Sequence, residues 1–183
     1  MTDDELAQLR RDVQYLKDRT AILDCIMNQS RGHDRHDLHL MTSVYTADGV
    51  DEHGPVVKSG ADYGEYANAA HASVFIDHLH NITTHTCEID GDTAHAESYV
   101  IGSMRVKDHK TATLLGGRYL DRLEKRDGVW GIALRRCTLE WTISGDTSII
   151  ESGAFKGFVK GTWDTSDASY ARPMSTDDAV ARW

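Results

Sequence analysis

From residue 78 to residue 142, apolar and polar residues alternate with period two through four successive segments, at about 79–89, 93–106, 111–125 and 129–142. Such alternation puts one side of each segment on a core and the other in water, so the four read as antiparallel strands. The links between them, Asp90-Gly91-Asp92, Lys107-Asp108-His109-Lys110 and Arg126-Asp127-Gly128, are short and polar, and two carry a glycine suited to a hairpin turn. A meander of this length needs a cover for its apolar face, and the first 75 residues supply helices. Leu6, Leu9, Val13, Leu16, Thr20, Leu23 and Met27 step by three and four, which predicts a helix from about Asp4 to Ser30 that packs on the sheet and stops at Gly32. A second helical stretch opens at Asp37, carries Leu38, Met41, Val44 and Tyr45, and ends near Ala47-Asp48-Gly49. Val50 to His53 reads as a short strand, Gly54-Pro55 as a break, and Ala61 to Ser73 as a third helix. The expected fold class is therefore α+β, with helices on one face of a strongly curved antiparallel sheet. Gly102, Gly116 and Gly117 inside the strands mark bulges or bends.

With 183 residues the chain fits one domain. Its net charge of -9 makes nucleic acid and anionic membrane poor partners. No segment has the length and apolarity of a membrane span or a signal peptide, so a cytoplasmic location is expected. Cys25, Cys87 and Cys137 are too few and too far apart for a disulfide framework or a thiolate metal site, and read as reduced structural cysteines. From Ser144 onward, glycine, serine and aspartate mix with scattered aromatics such as Phe155, Phe158, Trp163 and Tyr170. Residues 144–183 are read as an arm of the same domain, crossing a cavity mouth or docking on a neighbouring subunit, with the end after Pro173 frayed.

Ten histidines raise the question of a metal. His33, His36 and His39 are spaced by three, and His78 and His80 share one side of a strand, so each group offers two ligands. No third ligand is evident, solvated loop and helix-face histidines are the plainer reading, and no metal is expected. Nor is there a phosphate-cradling glycine loop, a nucleophile elbow or a dinucleotide fingerprint, so no cofactor is expected. Tyr45, Tyr63, Tyr66, Phe75, Tyr99, Met104, Leu115, Tyr119, Leu139 and Trp141 are candidates for a cavity wall. Alternation leaves open whether Tyr99, Ile101 and Ser103 or Val100, Gly102 and Met104 face inward.

Four segments carry a likeness to a known family: Gly32-His-Asp-Arg-His-Asp37, His80 before Ile89-Asp90-Gly91-Asp92-Thr93-Ala94, Gly117-Arg-Tyr-Leu-Asp121 through Gly128-Val-Trp130, and Gly161 through Tyr170. The chain resembles the SnoaL-like families of the nuclear transport factor 2-like superfamily, which include hexachlorocyclohexane dehydrochlorinase, scytalone dehydratase and the bile-acid 7α-dehydratase. The resemblance implies a cone-shaped α+β barrel over residues 1–143 and a catalytic pair in which Asp34 supports His80. It also puts an arginine, Arg135, where developing negative charge is stabilised, and Gln29 where those enzymes carry a tyrosine or lysine. Asp121 and Trp130 are read as structural.

Imidazole suits proton abstraction, because its ordinary pKa near 6.5 leaves it neutral yet basic, and a carboxylate on Nδ1 fixes its tautomer. The expected activity is a cofactor-independent lyase or isomerase, eliminating water in the first instance, on a small hydrophobic cyclic substrate. The catalytic set is Asp34, His80 and Arg135, and the substrate-binding set is Gln29, Tyr45, Tyr99, Tyr119 and Leu139. A ligand-binding protein without chemistry and a structural subunit of an oxygenase assembly are the alternatives. A homo-oligomer is expected, a trimer before a dimer.

Overall fold

The computed structural model describes all 183 residues. The first helix, α1 (Asp3–Arg35), is started by a reciprocal cap in which Thr2 and Glu5 satisfy each other's backbone N–H. It does not stop at Gly32. His36 ends it by adopting a left-handed backbone, φ 51°, with its N–H returned to the last turn. Gly32 serves close packing instead, since a Cβ there would lie 2.7 Å from the Met41 backbone nitrogen. The face of α1 that packs on the sheet is also rotated from the expected stripe. Ile22, Cys25, Ile26 and Gln29 are buried, whereas Leu9, Val13, Leu16 and Met27 remain exposed. The first four turns of the helix project past the sheet, so their apolar residues meet no facing element.

Asp37 caps α2 (Leu38–Thr42), which is only five residues long. Tyr45 is not helical but opens β1 (Tyr45–His53), and Ala47-Asp48-Gly49 lies inside that strand at an irregularity between Tyr45 and Val50. A strand that sequence alternation did not show, β2 (Val56–Ser59), pairs back on β1, and α3 (Gly60–Val74) follows directly. The meander is β3 (Phe75–Asp90), β4 (Thr93–Val106), β5 (Thr111–Arg126) and β6 (Val129–Asp146). It begins earlier and ends later than its alternation indicated.

The strand order is β2-β1-β6-β5-β4-β3, and β1 runs parallel to β6. The sheet is therefore mixed and not wholly antiparallel as expected. Burial along β4 resolves the choice of faces: Ala94, Ala96, Ser98 and Val100 point inward and Tyr99 and Ile101 outward. The small inward residues let α1 approach, so that Ile22, Cys25 and Ile26 pack with Tyr119, Leu123, Trp130 and Ile132 in one core. The Trp130 indole donates to Asp18 Oδ1 at 2.9 Å, which satisfies its only polar atom. A bulge falls between Gly116 and Gly117. At Gly116 the outward-lying Trp141 covers the backbone so closely that a Cβ would sit 2.1 Å from its ring, so Trp141 belongs to the outer face and not to a cavity.

The C-terminal arm packs on its own chain. Arg35 donates to Thr162 O and to Asp167, Tyr170 donates to Asp37, and Trp163 stacks on His36 at 4.1 Å. The extreme end, expected to fray, is hydrogen-bonded. Val159 and Arg182 form a bridge, Trp183 N donates to Phe158 O, and the Arg105 and Lys160 cations lie over the Trp183 ring. A cluster of aromatic and cationic contacts is enough to hold a polar segment that has no core of its own. No helix is long and apolar enough to cross a membrane.

Candidate active site

Asp34 occupies the last turn of α1, where a carboxylate faces the negative end of the helix dipole and needs donors from elsewhere. β3 provides them. The His80 backbone N–H donates to both carboxylate oxygens at 2.8 and 3.0 Å, and the Nδ1 atoms of His80 and His78 lie 2.6 and 3.2 Å from Oδ1. Burial alone would raise the Asp34 carboxyl, but these hydrogen bonds from His78 and His80 hold it below the usual carboxylate range. An ionised carboxylate only accepts, so both histidines carry their proton on Nδ1 and leave Nε2 with its lone pair. The pairing of Asp34 with His80 is thus present as geometry. The second imidazole on the same carboxylate, His78, figured in the sequence only beside His80 as a possible metal ligand and not as a partner of Asp34.

His80 lines a cavity of about 340 Å³ whose wall is formed by Val100, Met104, Leu115, Tyr119, Cys137, Leu139, Gly54 and Pro55, with His53 and Arg118 as its charged or polar members. That volume is at the small end of the range for ligand pockets, roughly 300–1,000 Å³. His80 Nε2 makes no protein hydrogen bond. A groove of about 430 Å³ crosses the outer face of the sheet between Thr86, Glu97, Arg122 and Arg136, on the side away from Asp34 and His80.

The other residues singled out in the sequence fall in different places. Tyr119 and Leu139 line the cavity, Tyr119 buried and Leu139 at its exposed rim. Tyr99 does not, because the β4 pleat turns it outward, where it is 44% exposed. Tyr45 lies in the core and donates to Asp51 Oδ2 at 2.5 Å. Arg135 and Gln29 do not reach the cavity. The Arg135 guanidinium is fully buried, donating twice to Asp121 at 2.8 and 2.9 Å and once to Gln29 Oε1 at 2.8 Å, beneath the Tyr119 ring at 4.1 Å. Its partner is Asp121 rather than Asp34, and each of its three nitrogens is engaged by protein while the whole side chain is shut away from the cavity. Asp121, read as structural, anchors this arginine. Cys137, read as structural, is in the cavity wall.

His53 is the residue that sequence reasoning passed over. It follows Asp51 by two in β1 and so shares its face, which was the available signal. Its Nδ1 lies 2.9 Å from Tyr63 Oη and 3.6 Å from Asp51 Oδ1. Burial works against its charge, but Asp51 and Cys137 beside it prevail and raise the imidazole to about 9. The cavity therefore presents two imidazoles, one cationic at His53 and one with a free nitrogen at His80.

Behind His80 the histidines continue. His33, on α1 beside Asp34, stacks on His80 at 4.8 Å and on His71 of α3 at 4.5 Å, and His78 stands edge-on to His33 and His71 at 5.0 and 4.7 Å. His33, His71 and His78 each bring a ring nitrogen within 4.8 Å of the other two. The sequence groups His33-His36-His39 and His78-His80 were drawn along single elements, and the actual cluster takes one residue from each of three.

Residues 14–136 match the SnoaL-like domain family. The chain belongs to the SnoaL-like domain family. Among solved structures, a hexachlorocyclohexane dehydrochlorinase, LinA type 2, is 20% identical and superposes with a TM-score of 0.68, covering 73% of this chain and 92% of its own. The LinA type 3 dehydrochlorinase from Novosphingobium barchaimii LL02 gives 19% identity, 73% and 93% coverage and a TM-score of 0.65. A protein provisionally assigned as a scytalone dehydratase, from Novosphingobium aromaticivorans DSM 12444, gives 20%, 78% and 91%, and 0.60. At these identities the likeness establishes the nuclear transport factor 2-like α+β cone. No curated protein matches the chain in sequence.

Proposed function

We propose that this SnoaL-like chain is a lyase that eliminates water, or another leaving group, from a small hydrophobic cyclic molecule by proton transfer between imidazoles. The observation that carries this reading is the 2.6 Å contact between Asp34 Oδ1 and His80 Nδ1, with His80 in the wall of a mostly apolar cavity. His80 Nε2 takes a proton from a ring carbon, and Asp34 stabilises the imidazolium that forms. As the carbon–oxygen bond breaks, the His53 imidazolium gives its proton to the departing hydroxyl, which leaves as water. His53 thus takes the place that the buried Arg135 cannot fill, and answers the lack of a proton donor at Gln29. Transfer between imidazoles requires no redox or group-carrying cofactor. That two structural neighbours are named for eliminations, a dehydrochlorination and a dehydration, supports the class of reaction.

The test is a screen of cyclic alcohols and halides for loss of water or hydrogen halide by mass, followed by variants. His80→Ala and Asp34→Asn are expected to lower kcat by about 10²–10⁴-fold with KM little changed. His53→Gln is expected to slow alcohols, whose hydroxyl must be protonated, and to spare halides, which leave without a proton. Full turnover in both the His80 and Asp34 variants would overturn the proposal.

A further inference from the structure

The cluster behind His80 contains more unmet hydrogen-bonding capacity than the chemistry just described uses. Both ring nitrogens of His33, Nδ1 of His71 and Nε2 of His78 are buried without a protein partner. His33 is 1% exposed, and its ring lies among those of His71, His78, His80 and Tyr63. A buried polar group left unpaired costs about 1–3 kcal/mol, so four such atoms in one place call for an occupant.

We infer that His33, His71 and His78 bind a divalent first-row transition-metal ion, with zinc the best match to three neutral imidazoles. Three histidines and one open position make a tetrahedral nitrogen site. Nitrogens bound at about 2.0–2.1 Å around a tetrahedral ion lie roughly 3.4 Å apart. Ring nitrogens now within 4.8 Å need only small side-chain rotations to reach that spacing. His78 already has the arrangement that orients a metal-bound imidazole: its Nδ1 is held by Asp34, which directs the lone pair of Nε2 away from the carboxylate.

The neighbouring combination of Asp34, His78 and His80 also brings three ligand atoms together. There, however, both Nδ1 atoms are engaged by the same carboxylate oxygen, and a metal would have to displace two hydrogen bonds. The three-histidine site displaces none. His78 also borders a second cavity of about 400 Å³ between β3 and the arm, beside Trp163 and Thr162. The metal would tie the ends of α1 and α3 to β3, and Asp34 would serve two imidazoles, one facing the cavity and one facing the ion.

The experiment uses the full chain without an affinity tag, stripped by a chelator and dialysed, and titrated with Zn²⁺ and Co²⁺. One equivalent is expected to bind, with a rise in Tm and, for Co²⁺, the intense visible absorption of a tetrahedral site. His33→Asn and His71→Gln are expected to abolish the Co²⁺ spectrum, and Asp34→Asn to weaken binding by about 10–100-fold through His78. His95→Gln, on the outer face, should bind as the parent does. His71 is only partly buried, so His71→Gln remains informative if His33→Asn fails to fold. Absence of stoichiometric binding, or parental affinity in His71→Gln, overturns the inference.

Discussion

Two groups of buried polar side chains lie under the same sheet, and they are built in opposite ways. Around Arg135 every nitrogen has a partner: two hydrogen bonds to Asp121, one to Gln29, and a tyrosine ring over the cation. Around His33 four ring nitrogens on three residues are buried and unpartnered. A group whose nitrogens are all partnered inside the protein and closed to solvent acts on stability. An unpartnered one costs stability and is retained where something binds. The contrast separates framework from function more cleanly than charge does, since the fully buried Arg135 cation belongs to the framework.

The largest effect should come from breaking the filled group. Asp121→Asn leaves Arg135 buried without its counter-ion and is expected to cost about 3–5 kcal/mol in urea unfolding. A loss below about 1 kcal/mol would remove the basis for calling this pair structural. The unfilled group predicts the opposite sign. In chelator-treated protein, His33→Leu removes two unpaired nitrogens and is expected to raise stability by about 1–2 kcal/mol. A loss of similar size would mean that the imidazoles are paired in solution and that the two groups do not differ.

A smaller effect sits between them, at His53 and Asp51. The His53 pKa is raised on folding from an ordinary 6.5 to about 9, with Asp51 and Tyr63 facing it from β1 and α3 and Tyr119 from β5. A raised imidazole pKa stabilises the fold fully below pH 6.5, and the contribution is lost as pH rises through about 9. Tm should therefore fall between pH 6.5 and 9 in the parent and fall less in His53→Gln. Least affected should be Tyr99→Ser on the outer face, with stability changed by less than about 0.5 kcal/mol and turnover unchanged.

The meander was legible because period two is a local signal, repeated over four strands and punctuated by turns. The first half of β1 was not, because Ala47-Asp48-Gly49 reads as a turn and its pairing partner lies far along the chain; only Val50 to His53 was read as strand. His36 was invisible as a helix stop, since a histidine in left-handed backbone leaves no mark in composition, while Gly32 drew attention to itself for a packing reason. The site divides in the same manner. Asp34 and His80 came from resemblance to a family, not from spacing. His71 belongs to neither, since only folding brings the end of α3 against α1. Arg135 shows the limit of positional transfer: its place in the strand was foreseen, and what its guanidinium would touch was not.

The parallel pairing of β1 with β6 has a consequence in time. Glu52 meets Arg136 84 residues later, so this edge of the sheet closes the longest loop among the strand pairings. Loop closure of that length is entropically costly and tends to come late, after the local hairpins of the meander have formed. On a ribosome, the wall that carries His53 cannot be completed until β6 has left the exit tunnel. The half of the cavity holding His80 is assembled from β3 onward without it. A chain interrupted before β6 would thus carry one of the two imidazoles in place and the other unanchored, which makes completion of the last strand the step at which the cavity acquires both.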